Sequence, residues 1–542
     1  MRKFYFLLLA GLAMAGFAQA QLTASNLPIV RITTNTAIAG NQIDGNMHII
    51  DNSSGVNQVT DPPTFQSIIG VKVRGSVSAA KKSYNVETWA NVLGTSLNVS
   101  VLGFPAENDW VLLSSYTDRS LLRNLTGMYL YSQMGYWASR MRLCEVIINE
   151  GTGDQYQGVY LFGEKIKRDS ARLDLATLQP GDNAEPEISG GYILRIDDSN
   201  EGFWASLHLP PYASGSQNIK FRYEEPADND ITPVQTAYIK GWMKKFEDSL
   251  SSGNYQDTNI GWRAYAAKTW FRDYLIFSEV MKSKDAYRKA TYLYKDKSKK
   301  LRIGPPWELE LSLYNTADCN ASSTTGWAYQ YGLTCDTSTY LPPFWWERLM
   351  TDTLFVSELK CRYTYLRENV LDTAMIFSYL DAMSDSLNVI QGGGTAQGRN
   401  FVKWPIWGVN LVNEPMGGAA DYATEVARIK TFLQDRLAWL DTQWWVPGCA
   451  LSVNELLGEQ ENNYISPNPA SGNFNTHLVL NKQTKVSVSV RNLQGAVLYT
   501  KNYTLGTGEH KLNHDISEFP ASIYIVTIQQ GDYSRHFKLV KN

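Results

Sequence analysis

Histidine is scarce in the large part of this 542-residue chain: before residue 450 only His48 and His208 occur. No His-Glu-x-x-His and no Gly-x-Ser-x-Gly is present. A His-dependent triad or a zinc hydrolase would have to draw on one of those two residues. Cys-x-x-Cys is also missing, which argues against a zinc ribbon. Charge of one sign is not in excess: 50 Lys and Arg stand against 53 Asp and Glu, a net charge of −3. With no basic face or stripe, nucleic acid is not an expected partner. After the first 20 residues no apolar run reaches membrane-spanning length. What is present is a chain 44% hydrophobic, long enough for more than one domain and a large core.

Residues 1–20 read as a signal peptide. Arg2 and Lys3 precede the apolar run FYFLLLAGLAMAGFA, and Ala18-Gln19-Ala20 has the small-x-small form of a cleavage site. The mature chain is therefore expected to be exported. Of the five cysteines, Cys319 and Cys335 share a loop rich in Ser, Thr, Gly and Asn and form the expected disulfide. Cys144 and Cys361 lie in apolar or amphipathic settings and read as buried thiols.

Residues 27–33 and 69–74 read as strands, and Leu113–Met134 as a helix with Ser114, Ser115 and Asp118 as N-cap chemistry. CEVIIN and GVYLFGEKIKRD form a hairpin, and GGYILRID (190–197) one more strand. The chain then turns helical, with apolar stripes over 233–250, 262–282, 373–390 and 422–446. NFVKWPIWGVN reads as an irregular buried segment. Near residue 447 the composition shifts: all sixteen tryptophans and all five cysteines lie before residue 450. Beyond it come short alternating strands, VSVSV, AVLYT and IYIVTI, separated by Gly, Asn and Pro, the pattern of a small β-sandwich. The expected division is 1–20, 21–447, a linker over 448–462, and 463–542.

Chemistry concentrates between Lys282 and Asn315. Two aromatic-rich apolar runs flank a basic turn, predicting strand–turn–strand, with Asp285 before the first run and Glu308 and Glu310 in the second. Residues two apart on a strand share a face, so Glu308 and Glu310 would point together. Such a pair suits either a hard divalent cation or the solvent side of a half-buried hairpin. The turn Arg74-Gly75-Ser76, followed by Lys81 and Lys82, has the small residues and charge that can cover phosphates.

These segments resemble the CotH kinase family. LPIVRITTN, IGVKVRGS, KKSYNVETW, PAENDWVLLSSYTDRSLLRN, GVYLFGEKIKRD, ISGGYILRID, KDAYRKATYLYKDK, WELELSLYN, PFWWERL and NFVKWPIWG match in the family's order over about residues 27–446. The tail resembles a type IX secretion sorting domain through Ser466-Pro467-Asn468-Pro469, Asn492-Leu493-Gln494-Gly495, Ile523-Tyr524-Ile525-Val526 and its final Lys541. The first resemblance implies an α+β, atypical protein-kinase-like fold of two lobes, β-rich then helical, around ATP and Mg²⁺ (or Mn²⁺), and phosphate transfer to protein serines. The second implies contact with the secretion machinery and delivery to the surface of a Gram-negative cell. Residue by residue, Arg74, Gly75 and Ser76 match the phosphate-covering loop. Lys81, Lys82, Glu164, Lys165 and Trp307 fall on nucleotide-side positions, Asp285 on the catalytic aspartate, and Glu308 and Glu310 on the metal site.

Departures cluster at that chemistry. The family's Trp-Asp-Phe-Asp is Trp307-Glu308-Leu309-Glu310 here, its closing Gly is Tyr314, the Asn before Asp285 is Ser283, and a later Ser is Ala290. Mg²⁺ requires near-octahedral oxygens at about 2.0–2.1 Å. One methylene moves a carboxylate by roughly 1–1.5 Å, and a displacement of about 1 Å can cost on the order of 100-fold in rate. Three readings follow: an exported kinase with an altered metal site; a pseudokinase keeping the fold for nucleotide or protein binding; and a surface adhesin or glycan binder using Trp327, Tyr329, Tyr331 and Trp345.

Overall fold

A computed structural model describes residues 22–197, 202–212, 218–335, 341–449 and, in the tail, 464–480, 483–492, 496–506, 508–530 and 533–542. The expected signal peptide and most of the expected linker lie outside the described residues.

The chain begins with seven strands: β1 Ile29–Thr33, β2 Ile43–Ile50, β3 Phe65–Arg74, β4 Ser83–Trp89, β5 Asp109–Leu113, β6 Met141–Asn149 and β7 Gln155–Glu164. They close into a barrel in the order β1-β2-β3-β4-β5-β7-β6, sealed by the parallel pairing of β1 with β6. Alternation explains the closure. Ile69 and Val71 on β3, Val86 on β4, Trp110 and Leu112 on β5 and Phe162 on β7 fill one interior. The single free cysteine among the described residues, Cys144, is part of that core.

Leu113, read from sequence as the start of a helix, instead ends strand β5, which pairs with both β4 and β7. Helix α1 begins only at Arg123 and ends at Gln133. Asp118 still caps it at a distance: its Oδ2 accepts the Arg123 N–H at 2.8 Å, and Arg123 Nη1 returns to Oδ1 at 2.6 Å. Local cap chemistry therefore located the region but not the first turn, because the barrel claimed the apolar run.

A second sheet follows, built from β8 Tyr192–Ile196, β9 Phe203–Ala205, β10 Lys220–Glu225, β11 Thr291–Lys295 and β12 Arg302–Ile303 in the order β9-β10-β8-β11-β12. Helices α2 Pro233–Ser251 and α3 Lys268–Met281 precede β11. Helices α4 Trp345–Leu349, α5 Thr353–Glu368, α6 Thr373–Asn388, α7 Ala396–Lys403 and α8 Tyr422–Trp444 come after β12. The stretch expected to be irregular around Phe401 is thus helical in its first half. One apolar core unites the sheet, the helices and the outer face of the barrel. The architecture is mixed α+β.

Trp345 and Tyr331 are buried within this core, Tyr329 nearly so, and Trp327 stacks on Trp444. The aromatics considered for an adhesive surface are interior packing.

Cys319 and Cys335 are disulfide-bonded as expected. Cys361 is not a free thiol: it is bonded to Cys449 across a separation of 88 residues. Packing of α5 against the end of α8, seen in the 2.7 Å bond from Tyr363 Oη to Asp441, brings the two together. No linear spacing announces such a pair.

The tail forms two sheets, one of β13 Tyr464–Ser466, β14 Asn473–Leu480 and β17 Gly508–Asp515, the other of β15 Thr484–Arg491, β16 Val497–Leu505, β18 Ser522–Gln530 and β19 Tyr533–Lys541. They share a separate apolar core that includes Phe474, Val488, Val526 and Leu539.

Candidate functional site

The predicted strand carrying Glu308 and Glu310 does not exist. Strand β12 stops at Ile303 because Pro305 and Pro306 offer no ladder N–H. The chain then takes Glu308 into the left-handed region (φ 55°) and coils Leu309–Leu311 into a single 3₁₀ turn. Helix α1 fixes that turn. Asn124 Oδ1 accepts the Leu309 N–H at 2.8 Å, and a Cβ on Gly127 would lie 2.1 Å from Leu309 Cδ1, so a larger residue there would displace the Leu309 side chain. The two glutamates consequently diverge rather than share a face.

Glu308 is 46% exposed and faces the base of the β3–β4 turn, where Arg74 Nη2 lies 3.7 Å from its Oε1. The Arg74 guanidinium also sits 5.2 Å from the centre of the Trp307 ring. Gly75, in the left-handed region (φ 75°), turns the chain away immediately after Arg74, and Gly75 and Ser76 are exposed. Glu310 points the other way, to the floor of the cleft. Thr117 Oγ1 donates to its Oε2 at 2.8 Å, and Asn124 Nδ2 lies 3.5 Å from Oε1. Burial pushes this carboxyl up to about 7, helped by the negative charges of Asp118 and Glu308 and opposed by Thr117 and Lys81.

Lys81, expected beside phosphate, is buried instead. Its Nζ donates to Val159 O at 2.6 Å and to Asn400 Oδ1 at 2.9 Å, and stands 4.6 Å from the centre of the Tyr160 ring. Burial lowers its ammonium to about 7, with Glu310 acting against the shift. Lys82 remains half-buried, its carbonyl accepting from Tyr160 Oη. Glu164 also departs from expectation. It is fully buried and taken up by Arg140, whose Nε and Nη2 donate at 2.7 and 2.6 Å. It anchors the barrel rim and has no capacity left for a ligand. Lys165, the next residue, lines an open pocket of about 350 Å³ together with Ile193, Gly191, Leu178 and Glu224.

Asp285 stands at the mouth of a smaller pocket that it lines with Ala290, Trp307 and Glu308. Arg288 Nη2 is 3.5 Å from its Oδ1, and its N–H lies 3.3 Å from Ser283 Oγ. Ala290 is buried and left-handed (φ 48°).

One residue passed over in the sequence stands beside the Lys165 pocket. Arg195 on β8 pairs directly with Tyr292 on β11 and Arg222 on β10, so the three share one face of the sheet. Its Nε lies 3.0 Å from Glu224 Oε1, which lines the Lys165 pocket. The signal was a charge set in the apolar run GGYILRID. Thr117 and Asn124, which hold Glu310, carried no such signal.

This donor set does not fit a magnesium ion. Glu308 is turned to Arg74, Glu310 is engaged by Thr117, and the Ala290 side chain has no oxygen to offer. Among the described residues no three His, Cys, Asp or Glu side chains converge as ligands. The Lys165 pocket has the volume of ordinary small-molecule sites.

Comparison with known families agrees with this geography. The family model described as CotH kinase protein matches residues 71–440, which span the β3–β4 turn, Arg195, Asp285 and the glutamate turn. The chain belongs to the CotH kinase family. A second model, a secretion system C-terminal sorting domain, matches residues 464–542. This CotH-family protein is therefore a substrate of type IX secretion, sent to the cell surface or exterior. No helix among the described residues is long and apolar enough to cross a membrane. No curated protein matches the chain.

Proposed function

We propose that this exported CotH-family protein is a pseudokinase: its cleft binds ATP, and its phosphoryl transfer is lost or residual. The nucleoside occupies the pocket beside Lys165, the phosphates run past Arg195 toward Arg74, and the terminal phosphate ends near Asp285. The observation carrying this reading is the pocket of about 350 Å³ beside Lys165, with Arg195 3.0 Å from Glu224 on its wall, in a cleft where Glu308 is turned to Arg74 and Glu310 to Thr117. A bound nucleotide would then present a shaped surface to a protein partner outside the cell.

The placement of Asp285 beside Trp307 and Glu308 favours a second reading, an active kinase acting on serines of surface or secreted proteins. There Asp285 would orient or deprotonate the acceptor hydroxyl. Incubation with radiolabelled ATP and Mg²⁺ or Mn²⁺, using Asp285→Ala as control, separates the two. Binding without transfer to the protein itself or to a surface extract supports the pseudokinase. Transfer that Asp285→Ala abolishes establishes the kinase. Absence of any nucleotide binding sinks both.

A further inference from the structure

We propose that Arg74, Arg195 and the Trp307 indole N–H form a metal-independent site for the phosphate chain, and that Glu308 is the internal anion occupying it until a nucleotide arrives. The inference rests on the nucleotide reading above and assigns Glu308 a role opposite to that of a metal ligand.

Three observations carry it. First, Trp307 is 4% exposed, lines the pocket with Asp285 and Glu308, and its Nε1–H has no hydrogen-bond partner among the described residues. A buried donor left unpaired costs about 1–3 kcal/mol, and an anionic oxygen entering the pocket would satisfy it. Second, Arg195 is held by charge more than by hydrogen bonds. Its Nε lies 3.0 Å from Glu224 and 3.1 Å from Asp197, yet neither contact is aligned, so this donor and Glu224 Oε1 both lack a hydrogen-bond partner. Third, Glu308 meets Arg74 only at 3.7 Å, on an exposed left-handed turn from which its side chain can swing outward without disturbing packing.

Guanidinium groups recognise phosphate through charge-assisted, often bidentate bonds. Arg74 beside the unpaired indole donor, and Arg195 once drawn from Glu224 and Asp197, would supply the neutralisation that Mg²⁺ supplies in a working kinase. Glu308 competes with phosphate for the same cations. The exchange replaces one carboxylate by a polyphosphate of higher charge, so it favours the ligand.

The consequence has a sign that distinguishes the two roles. A metal ligand replaced by glutamine weakens Mg²⁺-dependent binding. An internal competitor replaced by glutamine strengthens binding without metal. Titrate the full-length protein with ATP by calorimetry, in EDTA and then in excess Mg²⁺, as wild type, Glu308→Gln and Arg195→Gln. The expected result is binding in EDTA, tightened about two- to fivefold by Glu308→Gln, the range set by a partly exposed ion pair. Arg195→Gln weakens it by about 10-fold or more. Glu308 is exposed, so its variant folds and carries the test even if Arg195→Gln does not. Binding that requires Mg²⁺ and is weakened by Glu308→Gln overturns this inference while leaving the nucleotide reading intact. No binding under either condition overturns the nucleotide reading itself.

Discussion

Replacing Glu310 by glutamine should stabilise the protein near neutral pH and leave it unchanged in mild acid. The carboxyl sits on the cleft floor with its folded value raised from 4.5 to about 7, principally by burial. Between those values the folded state keeps a proton that the unfolded state has released. Stability therefore falls as pH rises through this window, and the loss is complete above the folded value. A shift of that size corresponds to about 3 kcal/mol. Solvent reaches the carboxyl in part and Lys81 lies nearby, so about 1–2 kcal/mol is the expected net cost. Glutamine keeps an oxygen to accept from Thr117 and carries no charge to bury. Lys81 does not blur the comparison in acid, because its lowered value of about 7 leaves it charged in both states below that. Guanidinium unfolding followed by tryptophan fluorescence is a suitable assay, since every tryptophan precedes residue 450 and the signal excludes the tail. The Glu310→Gln and wild-type curves should coincide near pH 4 and separate by about 1–2 kcal/mol near pH 7.5. A difference that stays flat across this range, or a variant less stable at pH 7.5, refutes the argument that Glu310 is buried at a cost.

Glu279 accepts from Arg436 Nη2, Tyr287 Oη and the N–H groups of Ala328 and Tyr329, all within 3.0 Å. Glu279→Gln leaves Arg436 buried and uncompensated, so a loss of about 3–5 kcal/mol and faster hydrogen exchange at Ala328 and Tyr329 are expected; an unchanged exchange pattern would contradict this. Alkylation of the unfolded, unreduced protein should label Cys144 alone, and peptide mapping should recover a cross-link between the Cys361 and Cys449 peptides; labelled Cys361 would disprove the second disulfide. Gly158 is left-handed (φ 96°), and a Cβ there would lie 2.5 Å from Asn400 Oδ1, a partner of Lys81. Gly158→Ala should thus cost about 1–3 kcal/mol, measured in the same unfolding assay, and an unaffected midpoint would count against it.

Much of the architecture was legible because alternation and helical stripes are local signals. The hairpin of β6 and β7, strand β8 and helix α8 fall close to where period and composition put them. Barrel closure was not legible, since it depends on the parallel pairing of Ile29–Thr33 with Glu145–Asn149, more than a hundred residues apart. The turn Arg74-Gly75-Ser76, Asp285 and the glutamate stretch were singled out as the centre of chemistry; Asp285 and Glu308 line one pocket, and Arg74 lies 3.7 Å from Glu308. Their orientations were not recoverable. A period of two predicted a shared face for Glu308 and Glu310, whereas two prolines and the Asn124 clamp on Leu309 imposed a turn. Glu164 and Lys81 are buried for one common reason that no local pattern announced: each charge is claimed by partners distant in sequence, Arg140 in one case and Val159 with Asn400 in the other.

The central claim is that this cleft holds a nucleotide without assembling a metal centre. A crystal grown with a non-hydrolysable ATP analogue and Mn²⁺, with data collected at the manganese edge, tests it directly. The account predicts nucleotide density from the Lys165 pocket past Arg195 to Asp285, Arg74 released from Glu308, and no anomalous peak between Glu308 and Glu310. A manganese peak coordinated by both glutamates would contradict it.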